Sequence, residues 1–134
     1  MTFGFHLCRG NQASRWLVEG GYDAVAEQIF GGIHARRLLL EYDDPRSGGF
    51  EPLARVPDDR WVVLGLVTTK RARLESADDL ARRIEAASRY VPLERLAVSP
   101  QCGFATSVLG NALTIDDERA KLRLVAEAAR KVWG

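Results

Sequence analysis

The stretch Trp61 to Thr69, WVVLGLVTT, is apolar at successive positions through its middle, with no alternation of apolar and polar residues. A strand that faces water on one side alternates with period two. An unbroken apolar run reads instead as a strand buried on both faces, as in a parallel sheet covered by helices. Shorter runs of strand character sit at Thr2 to Cys8, Arg36 to Tyr42 (RRLLLEY) and Leu96 to Ser99. Helical patterns lie between them. Tyr22 to Phe30 reads as a helix, with Asp23 near its start and Gly31-Gly32 closing it. Ser76 is the expected N-cap of a helix over Ala77 to Tyr90, with Asp78 and Asp79 in its first turn. Leu80, Ile84 and Ala87 share one face of that helix, and Pro92 lies beyond its end. The last helix runs over Asp116 to Val132 and is expected to bury Leu122, Val125 and Ala129. Only the segment Asp43 to Arg60 is mostly loop, opening on DDPRSGGF. Successive β-then-α units of this kind imply a right-handed parallel α/β arrangement. Four such units make either a small open sheet or half of an eight-stranded barrel.

Composition narrows the function. The 134 residues carry 19 Lys+Arg against 18 Asp+Glu, a formal net charge of +1, which argues against a dedicated nucleic-acid binder. No apolar run reaches the roughly 18 residues needed to span a bilayer, and the start MTFGFHLCRG lacks the build of a signal peptide. A single domain over 1–134 is expected. With only Cys8 and Cys102, a disulfide scaffold is not expected, and a reducing cytoplasm is the expected compartment.

Those two cysteines fall at informative places. His6 and Cys8 are two apart at the end of the first strand, so their side chains point to the same side. Glu41 ends the second strand, and Cys102 follows the fourth in SPQCGF. All four sit at C-terminal strand ends, where parallel α/β folds build their sites. One imidazole, two thiolates and one carboxylate suit zinc better than the hard, oxygen-seeking cations. A buried free cysteine is ordinarily a small hydrophobe, and the convergence of four ligand side chains at one sheet end is what favours a metal. The other polar residues have plainer readings. His34 lies in a connecting segment and reads as a solvated loop histidine. Asn11 is placed to fix the loop after Cys8, Trp61 and Trp133 read as packing residues, and RARLES reads as a solvated loop leading into a helix.

The segments FHLCRGN, LLLEYDDPRSGGF, LGLVTTK and SPQCGF, in this order, resemble the C-terminal catalytic part of the cobalamin-independent methionine synthase family, in its shorter, single-barrel branch. The resemblance covers nearly the whole chain. It implies a TIM barrel, a zinc ion held by His6, Cys8, Glu41 and Cys102, and methyl transfer from 5-methyltetrahydrofolate to the sulfur of homocysteine. Where full-length methionine synthases carry a histidine thought to act as proton donor, this chain has Lys70, a weaker acid near neutrality. Lys70 and Glu41 are thus the candidate catalytic residues. Asp43 and Arg46 in the loop after Glu41, with Ser99 beside Cys102, are candidates for substrate contacts; a polar turn is their plainer reading. That loop is longer by about two residues than in those enzymes. A related branch, the epoxyalkane–coenzyme M transferases, alkylates a different thiol on the same kind of zinc site. Four β/α units stand where the family barrel has eight, so the expectation is a C-terminal half-barrel. Its open sheet edges favour association, as a homodimer or with the missing N-terminal half. A half-barrel that folds but needs a partner for any activity is the non-catalytic alternative.

Overall fold

The structure is a computed structural model that describes residues 1–134. Four parallel strands form one sheet: β1 (Gly4–Leu7), β2 (Arg37–Glu41), β3 (Trp61–Val67) and β4 (Leu96–Pro100). Their spatial order is the chain order, β1-β2-β3-β4. That sequential winding is the order of a (β/α)8 barrel; a doubly wound sheet reverses direction at a switch point. The chain is α/β, with four parallel strands arranged as half of a TIM barrel and α-helices after β3 and β4 only. Both β1 and β4 pair on one side only. Two helices follow in sequence, α1 (Ala77–Ser88) and α2 (Ile115–Trp133). No helix is long and apolar enough to cross a membrane.

The side-chain alternation of the strands separates the two faces of the sheet. Leu38, Leu40, Val62, Leu64, Leu66 and Leu96 point to the face that carries the helices, and they join Leu80, Ile84, Ala87, Leu124 and Ala128 in one core. On the other face His6 pairs in register with Leu39, Leu39 with Val63, and Val63 with Ala97. That row is only partly covered. The expectation that β3 is buried on both faces therefore holds for its C-terminal half alone; Val63 is half-buried and Trp61 is 39% exposed. In a closed barrel the opposite strands fill that interior.

The helix expected over Tyr22 to Phe30 is replaced by a single wide π-helical turn, Glu27–Gly31. Tyr22, Ala26 and Phe30 still reach the core. The wide turn leaves carbonyls without helical partners. Arg60 answers them: its guanidinium donates to Phe30 O at 2.5 Å, to Gly31 O at 3.4 Å, and to Ile33 O. Ser76 caps α1 as expected, accepting from Asp79 N at 3.0 Å, and Leu80, Ile84 and Ala87 are buried. The helix stops at Ser88, short of Tyr90.

For α2 the expected buried face is off by one residue. Lys121, Leu124 and Ala128 are buried, Val125 and Ala129 are half-buried, and Leu122 is 46% exposed. The cause is a fully buried lysine: Lys121 Nζ donates to Arg73 O at 2.7 Å and to Glu75 Oε2 at 3.0 Å. Glu75 Oε1 in turn accepts from Thr68 N at 2.8 Å. The RARLES segment is mostly exposed, as the reading of a solvated loop expects, and Glu75 alone among its side chains ties it to α2 and to the end of β3. Leu124→Ala is expected to cost about 2–4 kcal/mol, while Leu122→Ala should stay within about 0.5 kcal/mol of the parent. Urea unfolding of both variants checks the assignment of the face.

Candidate metal centre

The strand ends carry a polar cluster. His6 projects from β1 on the partly covered face, and Cys8 follows two residues later, just past the strand. Glu41 is the last residue of β2, in register with Gly65 of β3, which is in register with Ser99 of β4. Cys102 follows β4 by two residues. The ligand atoms of His6, Cys8, Glu41 and Cys102 all lie within 4.8 Å of one another. Cys8 Sγ is 3.9 Å from Cys102 Sγ, and His6 Nε2 is 3.8 Å from Glu41 Oε1. Tetrahedral bonds of about 2.3 Å set two zinc-bound sulfurs roughly 3.8 Å apart. The observed sulfur pair matches that separation, so the donor set fits zinc.

Each member is held from behind. The Tyr22 hydroxyl accepts from Glu41 N at 2.9 Å and donates to Glu41 O at 3.2 Å, pinning the end of β2. The Arg9 guanidinium lies 4.2 Å from the Tyr22 ring centroid. Gln101 is buried; its Oε1 accepts from Thr69 N at 2.9 Å and Thr69 Oγ1 at 2.6 Å, while its Nε2 reaches Glu41 Oε1 at 3.4 Å. Asn11 donates to Thr69 Oγ1 at 2.8 Å and to Gly103 O at 3.0 Å. It therefore ties the loop after Cys8 to the loop after Cys102. Tyr22, Arg9 and Thr69 are absent from the sequence-based candidates, because a polar tip on an apolar segment carries no pattern of its own.

The Cys8 thiol is pushed up to about 11, first by partial desolvation of the sulfur within the cluster, then by the Glu41 carboxylate and the Cys102 thiol, against one donated hydrogen bond from Gly10 N. Without a cation, the cluster holds Cys8 as a neutral thiol at pH 7. His6, Ser99, Gln101 and Cys102 line a cavity of about 280 Å³ with Leu39, Leu40, Gly65, Pro100 and Gly103. Ser99 is thus beside the cluster, its hydroxyl donating to Pro100 O at 2.8 Å.

Lys70, Asp43 and Arg46 form a charged group beside Glu41. Lys70 and Asp43 line a second cavity of about 260 Å³, with Trp16, Asp44, Thr68, Arg71, Arg73 and Glu75 among its walls. Lys70 Nζ is buried 3.6 Å from Asp43 Oδ2. Arg46 donates to Asp43 Oδ1 at 3.0 Å and approaches Glu41 Oε2 at 3.8 Å. One chain of buried charges therefore runs Glu41–Arg46–Asp43–Lys70. His34 is exposed in its connecting segment and stands outside the metal cluster.

Residues 39–131 match the family described as cobalamin-independent synthase, catalytic domain. The uncharacterized protein YxjG of Bacillus subtilis is 58% identical over 134 residues, which cover 99% of this chain and 35% of that protein. A 5-methyltetrahydropteroyltriglutamate–homocysteine methyltransferase of Mycobacterium tuberculosis is 37% identical over 101 residues, covering 75% of this chain and 12% of the enzyme. A solved structure named as a putative vitamin-B12-independent methionine synthase of Listeria monocytogenes superposes with a TM-score of 0.65 at 33% identity, over 100% of this chain and 36% of that one. A B12-independent methionine synthase of Shewanella, solved with selenomethionine, gives a TM-score of 0.75 at 19% identity over 96% of this chain and 38% of that one, which speaks to the fold alone. The chain spans about a third of the length of the Bacillus relatives.

Proposed function

The chain belongs to the cobalamin-independent synthase catalytic-domain family, and from that premise we propose that it is the metal-holding half-barrel of a zinc-dependent thiol methyltransferase. Its substrates are homocysteine and 5-methyltetrahydrofolate, and its product is methionine. The observation that carries this reading is the meeting of one imidazole, two thiols and a carboxylate within 4.8 Å at the open rim of the sheet.

His6, Cys8, Cys102 and Glu41 are the residues that would hold the ion. Bound zinc keeps a substrate sulfur in its thiolate form at neutral pH, the form that is nucleophilic. Glu41 would be the ligand most readily given up to a substrate thiol, because a carboxylate is held more weakly than the two thiolates beside it. The sulfur–carbon bond forms as the nitrogen–carbon bond of the donor breaks. A methyl on a tertiary amine leaves poorly unless that nitrogen gains a proton, which Lys70 Nζ supplies. Asp43 holds Lys70 in place from 3.6 Å. Ser99, on the wall of the cavity beside Cys102, is the candidate contact for the thiol substrate.

Four strands make half of a barrel wall, so the working unit completes that wall with a second copy or with an N-terminal half. The half-covered row His6, Leu39, Val63 and Ala97 and the free edges of β1 and β4 are the surfaces that would meet that partner.

The test is an assay of the zinc-loaded protein. Methionine formed from homocysteine and 5-methyltetrahydrofolate supports the reading. Alkylation of coenzyme M by an epoxide, with no methionine formed, replaces it with the related thiol alkyltransferase. Size-exclusion chromatography at high concentration is expected to show a dimer, and a clean monomer counts against self-pairing.

A further inference from the structure

We propose that Arg46 is a positioning residue that receives the Glu41 carboxylate when a substrate thiol displaces it from the metal centre. The inference rests on the reading that the cluster holds zinc and that a thiol joins it. It adds where the displaced ligand goes.

The Glu41 side chain is wholly buried. Its Oε1 faces His6 Nε2 at 3.8 Å and Gln101 Nε2 at 3.4 Å. Its Oε2 is buried with no hydrogen-bond partner. The group nearest to completing it is Arg46 Nη2 at 3.8 Å, beyond the roughly 2.7–3.2 Å of a real hydrogen bond. A modest rotation of the Glu41 side chain closes that gap. The carboxylate therefore stands between two stations, one at the metal cluster and one at the guanidinium.

Arg46 is built as the fixed station. Its side chain is 6% exposed. Its guanidinium is gripped by Asp43 Oδ1 at 3.0 Å and Asp44 Oδ2 at 2.9 Å, and it stacks 5.1 Å from the Trp16 ring centroid. The backbone is held as well, with Arg46 N donating to Asp44 Oδ1 at 2.9 Å over the short turn Pro45–Ser47. Arg46 cannot swing to Glu41 without leaving two carboxylates, so Glu41 is the group that moves.

A second station is required on physical grounds. A carboxylate released inside a buried site has no route to bulk water, and an unpaired buried charge is strongly disfavoured. Lys70 does not serve, since its ammonium faces Asp43 Oδ2. The planar fork of Arg46 matches a carboxylate edge, which a lysine does not. Arg46 thus lowers the cost of opening a coordination place, while contributing little to the resting set of ligands.

The experiment compares zinc-loaded wild type, Arg46→Met and Arg46→Lys, with homocysteine as the titrated probe. Zinc X-ray absorption counts bound sulfurs, and calorimetry reads both affinities. In wild type the sulfur count is expected to rise from the two of Cys8 and Cys102 to three. Arg46→Met should need at least about tenfold more homocysteine for the same rise, with zinc affinity in the absence of thiol changed by less than about threefold. Arg46→Lys should fall between, retaining charge without the fork. Equal homocysteine dependence in Arg46→Met and wild type overturns the proposal. So does a loss of zinc affinity as large as the loss of thiol affinity, which marks a merely supporting role. If Arg46→Met does not fold, Arg46→Lys decides by the same two readings. Failure of wild type to hold zinc overturns the metal reading, and this inference falls with it; zinc held with unchanged thiol binding overturns this inference alone.

Discussion

Replacing either Cys8 or Cys102 with alanine is expected to reduce zinc from about one ion per chain to near zero after dialysis. Loss of an outer-shell partner typically costs about 10–100-fold in metal affinity; loss of a thiolate ligand removes a bond outright and should exceed that. The fold should survive. Cys8 is exposed and Cys102 only half-buried, and neither belongs to the apolar core. Far-UV circular dichroism should therefore match wild type while elemental analysis does not. Zinc should raise the melting temperature of wild type and leave both variants unmoved, because a ligand stabilises only the state that binds it. The pH dependence has a definite sign. With Cys8 pushed up to about 11, zinc must displace a proton at neutral pH, so uptake releases protons and affinity climbs as pH rises. Full metal content in both alanine variants would remove the site.

Gly65→Ala should be damaging out of proportion to one methyl group. A Cβ at Gly65 would sit 2.8 Å from Gln101 Cα and 3.0 Å from Leu40 O. Both are backbone atoms, so the strain cannot be relieved by rotating a side chain. Overpacking of this kind costs about 1–3 kcal/mol. The displaced backbone belongs to Gln101, which precedes Cys102 and carries the bonds to Thr69 and Glu41. A fall of at least about tenfold in zinc affinity should accompany the lost stability. Gly31→Ala is the control. Nothing lies within 4 Å of a Cβ there, and the variant should be neutral or slightly more stable. Guanidinium unfolding and zinc titration read the two effects separately. A Gly65→Ala protein with unaltered zinc affinity would show that the contact of Gly65 with Gln101 does not govern the cluster.

Much of the site is legible in the sequence because its signals are local. A strand puts residues two apart on one side, so the spacing of His6 and Cys8 alone marks them as a pair. Strand ends are marked by the close of apolar runs, which puts Glu41 and Cys102 at the same rim. The supporting bonds are hidden for the opposite reason. Tyr22 grips Glu41 across 19 residues, and Asn11 reaches Thr69 across 58. No spacing rule spans such separations. Lys70 is legible as a candidate, but its place in a second cavity, facing Asp43, depends on how the loop after β3 is held by Glu75 and Lys121.

By itself the amino-acid order determined the four strands, the two long helices after β3 and β4, the parallel class of the sheet, and the set of candidate metal-binding side chains at its rim. These follow from period, capping and position at strand ends, all of which act over a few residues. Tertiary structure alone decided which face α2 buries, since a lysine sits there only because Arg73 O and Glu75 receive its ammonium. It also decided that the segment after Tyr22 winds as a wide turn, since Arg60, 30 residues beyond Phe30, satisfies the carbonyls left open. In both cases a buried charge is stabilised by partners distant in sequence, and hydrophobic periodicity has no means of registering them.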